Sequence, residues 1–289
     1  MEFSTQHRRH RSMRLRDGRV IRFPAVMGIL NVTPDSFSDG GRYLNPDRAV
    51  EHALAMEAEG AAIIDIGGES SRPMGAREVP AEAEIARVAP VLERLAGRLR
   101  VPISIDTRKA AVARVALDAG AAIINDVSAL EADPAMAPLA GARKCAVVLM
   151  HMRGGPANHM KFAHYRDVVG EVAAYLSSRA RVAIRAGVAP SRIILDPGLG
   201  FSKRPRHSLR LLDALPRLCA LGYPILVGAS RKGFVRLTAG PDPAALEFGT
   251  AAVSAIAVVS GAAIVRVHDP AAAVAAVKMA AAIKSSDGG

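Results

Sequence analysis

The chain has no tryptophan, only two cysteines and few aromatic residues, and each shortage excludes a class of protein. Aromatic residues make up 4% of the chain, too few for the base-stacking surfaces of nucleic-acid binders. Cys145 and Cys219 lack the spacing of a zinc site or a disulfide framework. No apolar run reaches the roughly 20 residues of a membrane span, and no secretory signal core follows Met1. We therefore expect a soluble cytoplasmic protein with free thiols and no membrane partner.

Positive charge is concentrated at the N-terminus. Residues 1–22 contain seven arginines and two acidic residues, which accounts for nearly half of the net charge of +11. A nucleic-acid arm is one interpretation of such a segment. We favour a solvated, disordered tail over residues 1–22, with Met13 as an alternative start, and we expect no nucleic-acid partner.

Eight short apolar runs divide the rest of the chain, each followed by polar residues and then by enough chain for a helix. They span residues 26–30, 61–66, 101–105, 121–124, 146–150, 193–195, 225–227 and 262–265. Continuous apolar runs are typical of parallel strands that are covered on both faces. Eight such units predict one α/β domain over residues 23–285, a (β/α)8 TIM barrel whose active site lies where the strands end.

Four polar residues at these strand ends would share one pocket if the strands converge. Asp106, Asn125, Asp196 and Lys232 supply two carboxylates, an amide and an ammonium group, without an obvious nucleophile. Such a set suits a flat nitrogen heterocycle with a guanidine-like edge, because a carboxylate accepts two parallel N–H bonds from that edge. The alternative is that each aspartate only caps the helix that follows it.

A second, cationic group of residues predicts an anion site. Arg266 and His268 are two positions apart on the last strand and therefore face the same side. Ser71 and Arg72 follow the second strand in a long loop, and Asn31 ends the first strand. Arginine, imidazole and hydroxyl groups around one point favour phosphate or pyrophosphate, and Asn31 would reach that anion or a Mg²⁺ ion held by it.

Several common catalytic motifs are missing. The GLG segment at 198–200 is too short for a dinucleotide-binding loop, and residues 228–232 lack the spacing of a Walker loop. No histidine belongs to an HExxH zinc motif, and no serine lies in a GxSxG elbow. These absences argue against a hydrolase triad or a structural zinc site.

Seven segments, in order along the chain, resemble the dihydropteroate synthase family. They are NVTPDSFSDGG (31–41), DIGGESSRP (65–73), SIDT (104–107), NDVS (125–128), DPGLGF (196–201), SRK (230–232) and RVHD (266–269). The resemblance implies a homodimeric TIM-barrel transferase of folate biosynthesis that uses Mg²⁺ and is inhibited by sulfonamides. Members join 6-hydroxymethyl-7,8-dihydropterin pyrophosphate to p-aminobenzoate, releasing 7,8-dihydropteroate and pyrophosphate.

The resemblance also implies a role for each matching residue. The pterin site would contain Asp106, Asn125, Asp196 and Lys232, and the pyrophosphate site Asn31, Ser71, Arg72, Arg266 and His268, with Asn31 near the metal. Phe37, Ser71, Arg72, Pro73, Phe201 and Lys232 would surround p-aminobenzoate, and Asp106, Lys232, Arg266 and His268 would be the catalytic set. The two loops at 31–41 and 67–80 are long enough to act as lids over this site. In the first, Thr33, Pro34, Asp35 and Phe37 resemble the residues of the family that close over the reacting carbon.

Three departures concern the p-aminobenzoate side. Ser71 replaces the usual threonine, Met74 is an insertion before Gly75, and Gly233 follows Lys232 where some members carry a serine. Two related functions stay open at this point: a corrinoid-type methyltransferase domain with the same pterin pocket, and a paralogue without synthase activity.

Overall fold

The computed structural model describes residues 10–33, 45–69, 79–155 and 158–286. A short antiparallel hairpin precedes eight parallel strands. The strands are β1 (Ser12–Arg14), β2 (Val20–Arg22), β3 (Ala25–Asn31), β4 (Ile63–Gly67), β5 (Ile103–Asp106), β6 (Ile123–Asp126), β7 (Ala146–Met150), β8 (Ile193–Asp196), β9 (Leu226–Gly228) and β10 (Ile264–Val267). All eight predicted strands are confirmed, with boundaries shifted by at most two residues.

Helices follow the barrel strands along the chain. Those within the described residues are α1 (Pro46–Ala58), α2 (Ala81–Leu95), α3 (Ala110–Asp118), α4 (Met136–Arg143), α5 (Val168–Arg185), α6 (Pro205–Asp213), α7 (Leu215–Cys219), α8 (Gly233–Ala239), α9 (Pro243–Val259) and α10 (Pro270–Ser286). The alanine-rich stretch at 251–263 is helical only as far as Val259, where α9 ends. Gly261 has a φ of +107°, which ends the helix and leads into β10.

The eight parallel strands form a barrel, as predicted. Seven neighbouring pairs are hydrogen-bonded in the order β8-β7-β6-β5-β4-β3-β10-β9. A single parallel bridge between Leu195 and Ile225 joins the two remaining edges, supported by a 2.9 Å bond from the Leu195 N–H to the Pro224 carbonyl. The carboxyl ends of all eight strands therefore lie at one end of the barrel.

The prediction of a disordered tail over residues 1–22 is wrong for its C-terminal part. β1 and β2 pair, and Met13, Leu15 and Ile21 are almost fully buried against the beginnings of the barrel strands. Arg16, one of the arginines that suggested a solvated tail, holds the hairpin in place. Arg16 donates to the carbonyls of Leu117 and Ala121 at 2.6 and 3.0 Å. Residues 1–9 lie outside the described part of the chain.

No single helix among the described residues is long and apolar enough to cross a membrane. Taken together, α8 and α9 have the necessary length and hydropathy, but they meet at an angle of 107°.

Candidate active site

An arginine shared by two carboxylates lies inside the barrel near the carboxyl ends of the strands. Arg266 Nε donates to Asp65 Oδ2 at 2.6 Å, and Arg266 Nη2 donates to Asp106 Oδ2 at 2.5 Å. Asn125 Nδ2 also donates to Asp65 Oδ2, at 2.9 Å. These four residues come from β10, β4, β5 and β6, and strands that are not neighbours can exchange such bonds only through the barrel interior.

Strand register explains why these side chains meet. Gly67 is paired with Asp106 on the neighbouring strand, and Asp106 is paired with Asn125 on the next. Because side chains alternate along a strand, Asp106 and Asn125 point inward together. Asp126, the next residue, is on the opposite face, where its carboxylate accepts hydrogen bonds from the Ser128 and Leu130 backbone at 2.7 and 2.9 Å. Asp126 therefore holds the turn that follows β6 and faces away from the site.

Asp196 and Lys232 lie on the β8 and β9 side of the same site. Asp196 is buried, and its Oδ1 accepts a 2.7 Å hydrogen bond from the Gly198 N–H. Lys232 follows a turn in which Arg231 adopts a left-handed φ of 58°. The Lys232 Nζ lies 4.7 Å from the centre of the Phe201 ring, a cation–π contact. The Lys232 ammonium group is thus stabilised by the face of the Phe201 ring and by electrostatic attraction to Asp196.

Burial changes the ionisation of this cluster. It raises the pKa of Asp106 to about 7; the Arg266 guanidinium opposes this shift and the Asp65 carboxylate adds to it. Burial also raises the pKa of Asp196, against the Lys232 charge and the Gly198 N–H. The pKa of Lys232 falls to about 8 because its burial outweighs the attraction of Asp196. The carboxyl groups of Asp65, Asp106 and Asp196 supply acceptor oxygens here, which favours a ligand rich in N–H donors.

His268 is positioned by Ser230. The Ser230 hydroxyl lies 2.9 Å from His268 Nδ1, and it also accepts a 3.2 Å bond from the His268 backbone N–H. Arg231, between Ser230 and Lys232, instead forms an exposed ion pair with Asp269 at 2.9 Å. The SRK and RVHD segments are therefore joined by two contacts, one at the site and one at the surface.

The sequence-predicted residues fall into two groups. Asn31, Asp106, Asn125, Asp196, Phe201, Lys232, Arg266 and His268 are described, and the polar ones among them lie on strand ends or the turns that follow. Arg266 was assigned to the anion site, but two of its donors bind Asp65 and Asp106 here, so it joins the acidic and cationic groups. Phe37, Ser71, Arg72, Pro73, the inserted Met74 and most of the two loops expected to act as lids lie outside the described residues.

Sequence reasoning missed Asp65 as a site residue. Its side chain is fully buried, and Oδ1 has no hydrogen-bond partner among the described residues. The signal was a single aspartate within the apolar run IIDI, at a position where alternation with Ile64 and Ile66 turns it into the barrel. A buried polar atom without a partner is costly, which suggests that a ligand completes its bonding.

Comparison with known proteins agrees with this arrangement. Residues 27–268 match the family model described as pterin binding enzyme. The chain is 53% identical over 264 residues to a dihydropteroate synthase of Mycobacterium leprae, which covers 89% of this chain and 92% of the relative. A Xanthomonas albilineans dihydropteroate synthase solved with 4-aminobenzoic acid superposes with a TM-score of 0.88 at 44% identity, covering 95% of this chain and 98% of that one. The same enzyme in complex with 7,8-dihydropteroate gives a TM-score of 0.84 at 42% identity, covering 95% and 99%.

Proposed function

The chain belongs to the pterin-binding enzyme family, and from that premise we propose how its residues divide the work of a dihydropteroate synthase. The reaction is a transfer step of folate biosynthesis. It joins 6-hydroxymethyl-7,8-dihydropterin pyrophosphate to p-aminobenzoate. The observation that carries the assignment of roles is the Asp65–Arg266–Asp106 group, because it connects a pocket for N–H donors to a pocket for an anion.

The pterin would bind between Asp106, Asn125, Asp196 and Lys232. Carboxylates accept the N–H groups of the guanidine-like edge, while the amide and the ammonium group supply the complementary polarity. Asp65 fixes the orientation of the Asn125 side chain in this site by accepting its 2.9 Å hydrogen bond. Strands and not loops supply most of its members, so we expect the site to be formed before the pterin binds.

The bond from the pterin methylene carbon to the pyrophosphate oxygen breaks while the aniline nitrogen of p-aminobenzoate forms a new bond to that carbon. Positive charge develops on the pterin as the anion leaves, and the fixed carboxylate of Asp106 would stabilise it. Arg266 and His268 would stabilise the departing pyrophosphate, together with Ser71 and Arg72. The aniline nitrogen is nucleophilic without a strong base, and after attack it gives its proton to the released pyrophosphate or to water.

Magnesium would enter this site with the pyrophosphate. Among the described residues, no group of three or more His, Cys, Asp or Glu side chains could hold a metal ion alone. Mg²⁺ in nucleotide-type sites takes one or two protein ligands and completes its shell with phosphate oxygens and water. The amide oxygen of Asn31, at the end of β3, fits such a minor ligand. When bound, the ion would offset charge on the leaving group.

The p-aminobenzoate would lie beside Phe201 and Lys232, with Phe37, Ser71, Arg72 and Pro73 completing its pocket from the loops. Its binding is supported by the 4-aminobenzoic acid named for the Xanthomonas relative. A sulfonamide resembles p-aminobenzoate in shape, so we expect it to compete for the same pocket. The sensitivity of the enzyme to sulfonamides would depend on Ser71, Met74 and Gly233, the positions that depart from the family pattern.

We also propose that the enzyme works as a homodimer in the cytoplasm. Large apolar side chains are exposed on the adjacent helices α9 and α10: Phe248, Ile256, Val259, Met279 and Ile283. A patch of this kind on two packed helices suits a two-fold contact with a second copy. The two free cysteines suit a reducing compartment. Light scattering should give a dimer mass, and Ile256→Glu should give a monomer; a monomeric wild-type chain would refute this proposal.

The central experiment measures pyrophosphate release from the pterin pyrophosphate and Mg²⁺, with and without p-aminobenzoate. We expect release that depends on p-aminobenzoate and that stops when EDTA removes the metal. The product should be 7,8-dihydropteroate by mass spectrometry. Pterin binding without release would indicate the inactive paralogue, and methyltetrahydrofolate binding without release would indicate the methyltransferase domain.

A further inference from the structure

The segment between β8 and α6 follows an unusual backbone path. Three of its residues have left-handed φ values: Gly198 (+65°), Gly200 (+80°) and Ser202 (+47°). The segment also passes very close to the end of β7, since a Cβ atom on Gly198 would lie 2.1 Å from the His151 carbonyl oxygen. A left-handed serine costs of order 1 kcal/mol, so contacts from outside the segment must hold this path.

Lys203, a residue of the segment, makes two contacts to His151 outside it and a third contact within it. Its side chain is 2% exposed, and its Nζ lies 2.9 Å from His151 Nδ1, 3.2 Å from the His151 carbonyl oxygen and 2.9 Å from the Phe201 carbonyl oxygen. No carboxylate of the described residues forms an ion pair with it. Burial, reinforced by the Lys203 charge, lowers the pKa of His151 to about 2, so the imidazole is neutral and Nδ1 is an acceptor in the tautomer that carries its proton on Nε2. Lys203 thus ties the ends of two neighbouring barrel loops together.

Ser202 is fixed from the same β7 side. Its backbone N–H donates to His159 Nδ1 at 2.8 Å, and its hydroxyl accepts from the Arg153 N–H at 2.9 Å. The same hydroxyl donates to the Phe201 carbonyl at 2.8 Å. His159 is fully buried, and its ring packs against Phe201 at a centroid distance of 5.5 Å. The Phe201 backbone carbonyl therefore accepts one bond from Ser202 and one from Lys203. The Phe201 ring contacts both His159 and Lys232.

We propose that Lys203 is a positioning residue for p-aminobenzoate, acting by fixing Phe201 through the bonds it makes to the two loops. The proposal rests on the proposed function, which assigns Phe201 to the p-aminobenzoate pocket. The new element is Lys203, which does not itself line that pocket. His159 and Ser202 contribute to the same network of contacts. We call the group of five residues around Phe201 the Phe201 clamp: His151, Arg153, His159, Ser202 and Lys203.

If Lys203 only filled space between the two loops, it would not need to be a lysine. An apolar side chain of similar length would occupy the same volume without the cost of burying an amine. The Lys203 Nζ contacts three polar atoms, and two of them are backbone carbonyl oxygens from different loops. The Lys203 side chain therefore fixes the path of the backbone around Phe201. A pocket built on a glycine-rich loop needs such a constraint.

The test compares Lys203→Met with Lys161→Met. Lys161 is an exposed lysine of the short turn that contains His159, so the control makes the same substitution beside the clamp. The readouts are KM for p-aminobenzoate, kcat, thermal melting, and calorimetric affinity for pterin without p-aminobenzoate. We expect Lys203→Met to raise KM for p-aminobenzoate about tenfold, the scale of one lost buried hydrogen bond. Pterin affinity and kcat should stay within about threefold of wild type.

Conservative replacement separates positioning from general stability. Lys203→Arg keeps the donors, so KM for p-aminobenzoate should return toward the wild-type value. If Lys203→Met does not fold, His159→Leu removes the acceptor for Ser202 and should raise the same KM with pterin affinity unchanged.

Two results would overturn the proposal. One is a folded Lys203→Met, or a folded His159→Leu where the first does not fold, with unchanged KM. The other is a variant whose pterin affinity and p-aminobenzoate KM worsen equally. If the wild-type chain released no pyrophosphate with p-aminobenzoate, the proposed function would fail first, and this inference with it.

Discussion

The two ends of the barrel interior are built from opposite kinds of residue. At the end where the strands begin, the hairpin buries Met13 and Leu15 against apolar strand residues. At the other end, Asp65, Asp106 and Arg266 share bonds of 2.5 and 2.6 Å. Both ends are closely packed, but only the second contains buried charge with an acceptor atom, Asp65 Oδ1, that has no partner among the described residues.

This difference indicates where stability and chemistry originate. Apolar burial contributes about 25 cal/mol per Å², so the hairpin end stabilises the fold wherever it excludes water. Buried carboxylates cost free energy unless they are paired and hydrogen-bonded. The polar end is therefore arranged for a ligand at some expense to stability, and substitutions at the two ends should change different measured quantities.

The largest expected effect is the loss of activity in Asp106→Ala. We expect kcat/KM to fall by more than about a thousandfold, because both the pterin contact and the charge opposite the developing cation are removed. The melting temperature at pH 7.5 should not fall. A carboxyl group whose folded-state pKa is raised to about 7 destabilises the fold once it is ionised, and Arg266 keeps its bond to Asp65.

Asp126→Ala is the matched control for that experiment, since Asp126 is also a buried aspartate at a strand end but faces away from the site. Its loss leaves the Ser128 and Leu130 N–H groups without acceptors, at a cost of about 1–3 kcal/mol. We expect lower thermal stability with kcat/KM close to wild type. Equal losses of activity in the two variants would contradict the division between the two faces of the strand.

The second prediction concerns the hairpin end. Leu15→Ala should lower the free energy of unfolding by about 3 kcal/mol, the usual cost of a cavity at a buried leucine. Steady-state kinetics well below the melting temperature should give an unchanged kcat/KM. Val20→Ala, at an exposed position of the same hairpin, is the control and should change stability by less than about 0.5 kcal/mol. A Leu15→Ala enzyme with a normal melting curve would show that the hairpin does not stabilise the barrel.

The polar end was easier to predict from the sequence than the hairpin end. Apolar runs ending in Asp106, Asn125 and Asp196 predicted both the barrel and the direction of these side chains, because alternation along a strand fixes which face each residue occupies. The hairpin was missed because its apolar residues, Met13 and Leu15, alternate with arginines. The charge of those arginines suggested a solvated tail.

Contacts between distant segments explain the other misses. Nothing local to Asp65 indicates that Arg266, two strands away in the barrel, will bond to it. Lys203 resembled any lysine after a glycine-rich turn, since its acceptors at His151 and Phe201 become neighbours only when β7 and β8 pair. The sequence therefore predicted which residues reach the site, and the structure was needed for their partners.

The smallest expected effect is a pH dependence, and it tests the charge arrangement directly. We expect kcat/KM for the pterin pyrophosphate to be highest between about pH 7 and 8, and to fall by about tenfold per pH unit on either side. Below pH 7 the carboxyl of Asp106 gains a proton and loses its interaction with the pterin, and Asp196, whose pKa burial also raises, contributes to the same limb. Above pH 8, Lys232 loses its proton.

Lys232→Arg separates the enzyme's ionisations from those of the substrate. Arginine stays protonated throughout this range, so the alkaline limb should disappear while the acid limb stays near pH 7, whatever the absolute rate of the variant. An alkaline limb that persists in Lys232→Arg would belong to the substrate or to another residue. An acid limb at the ordinary pKa of an aspartate would mean that Arg266 compensates fully for burial, so that the polar end of the barrel carries no electrostatic cost before the ligand binds.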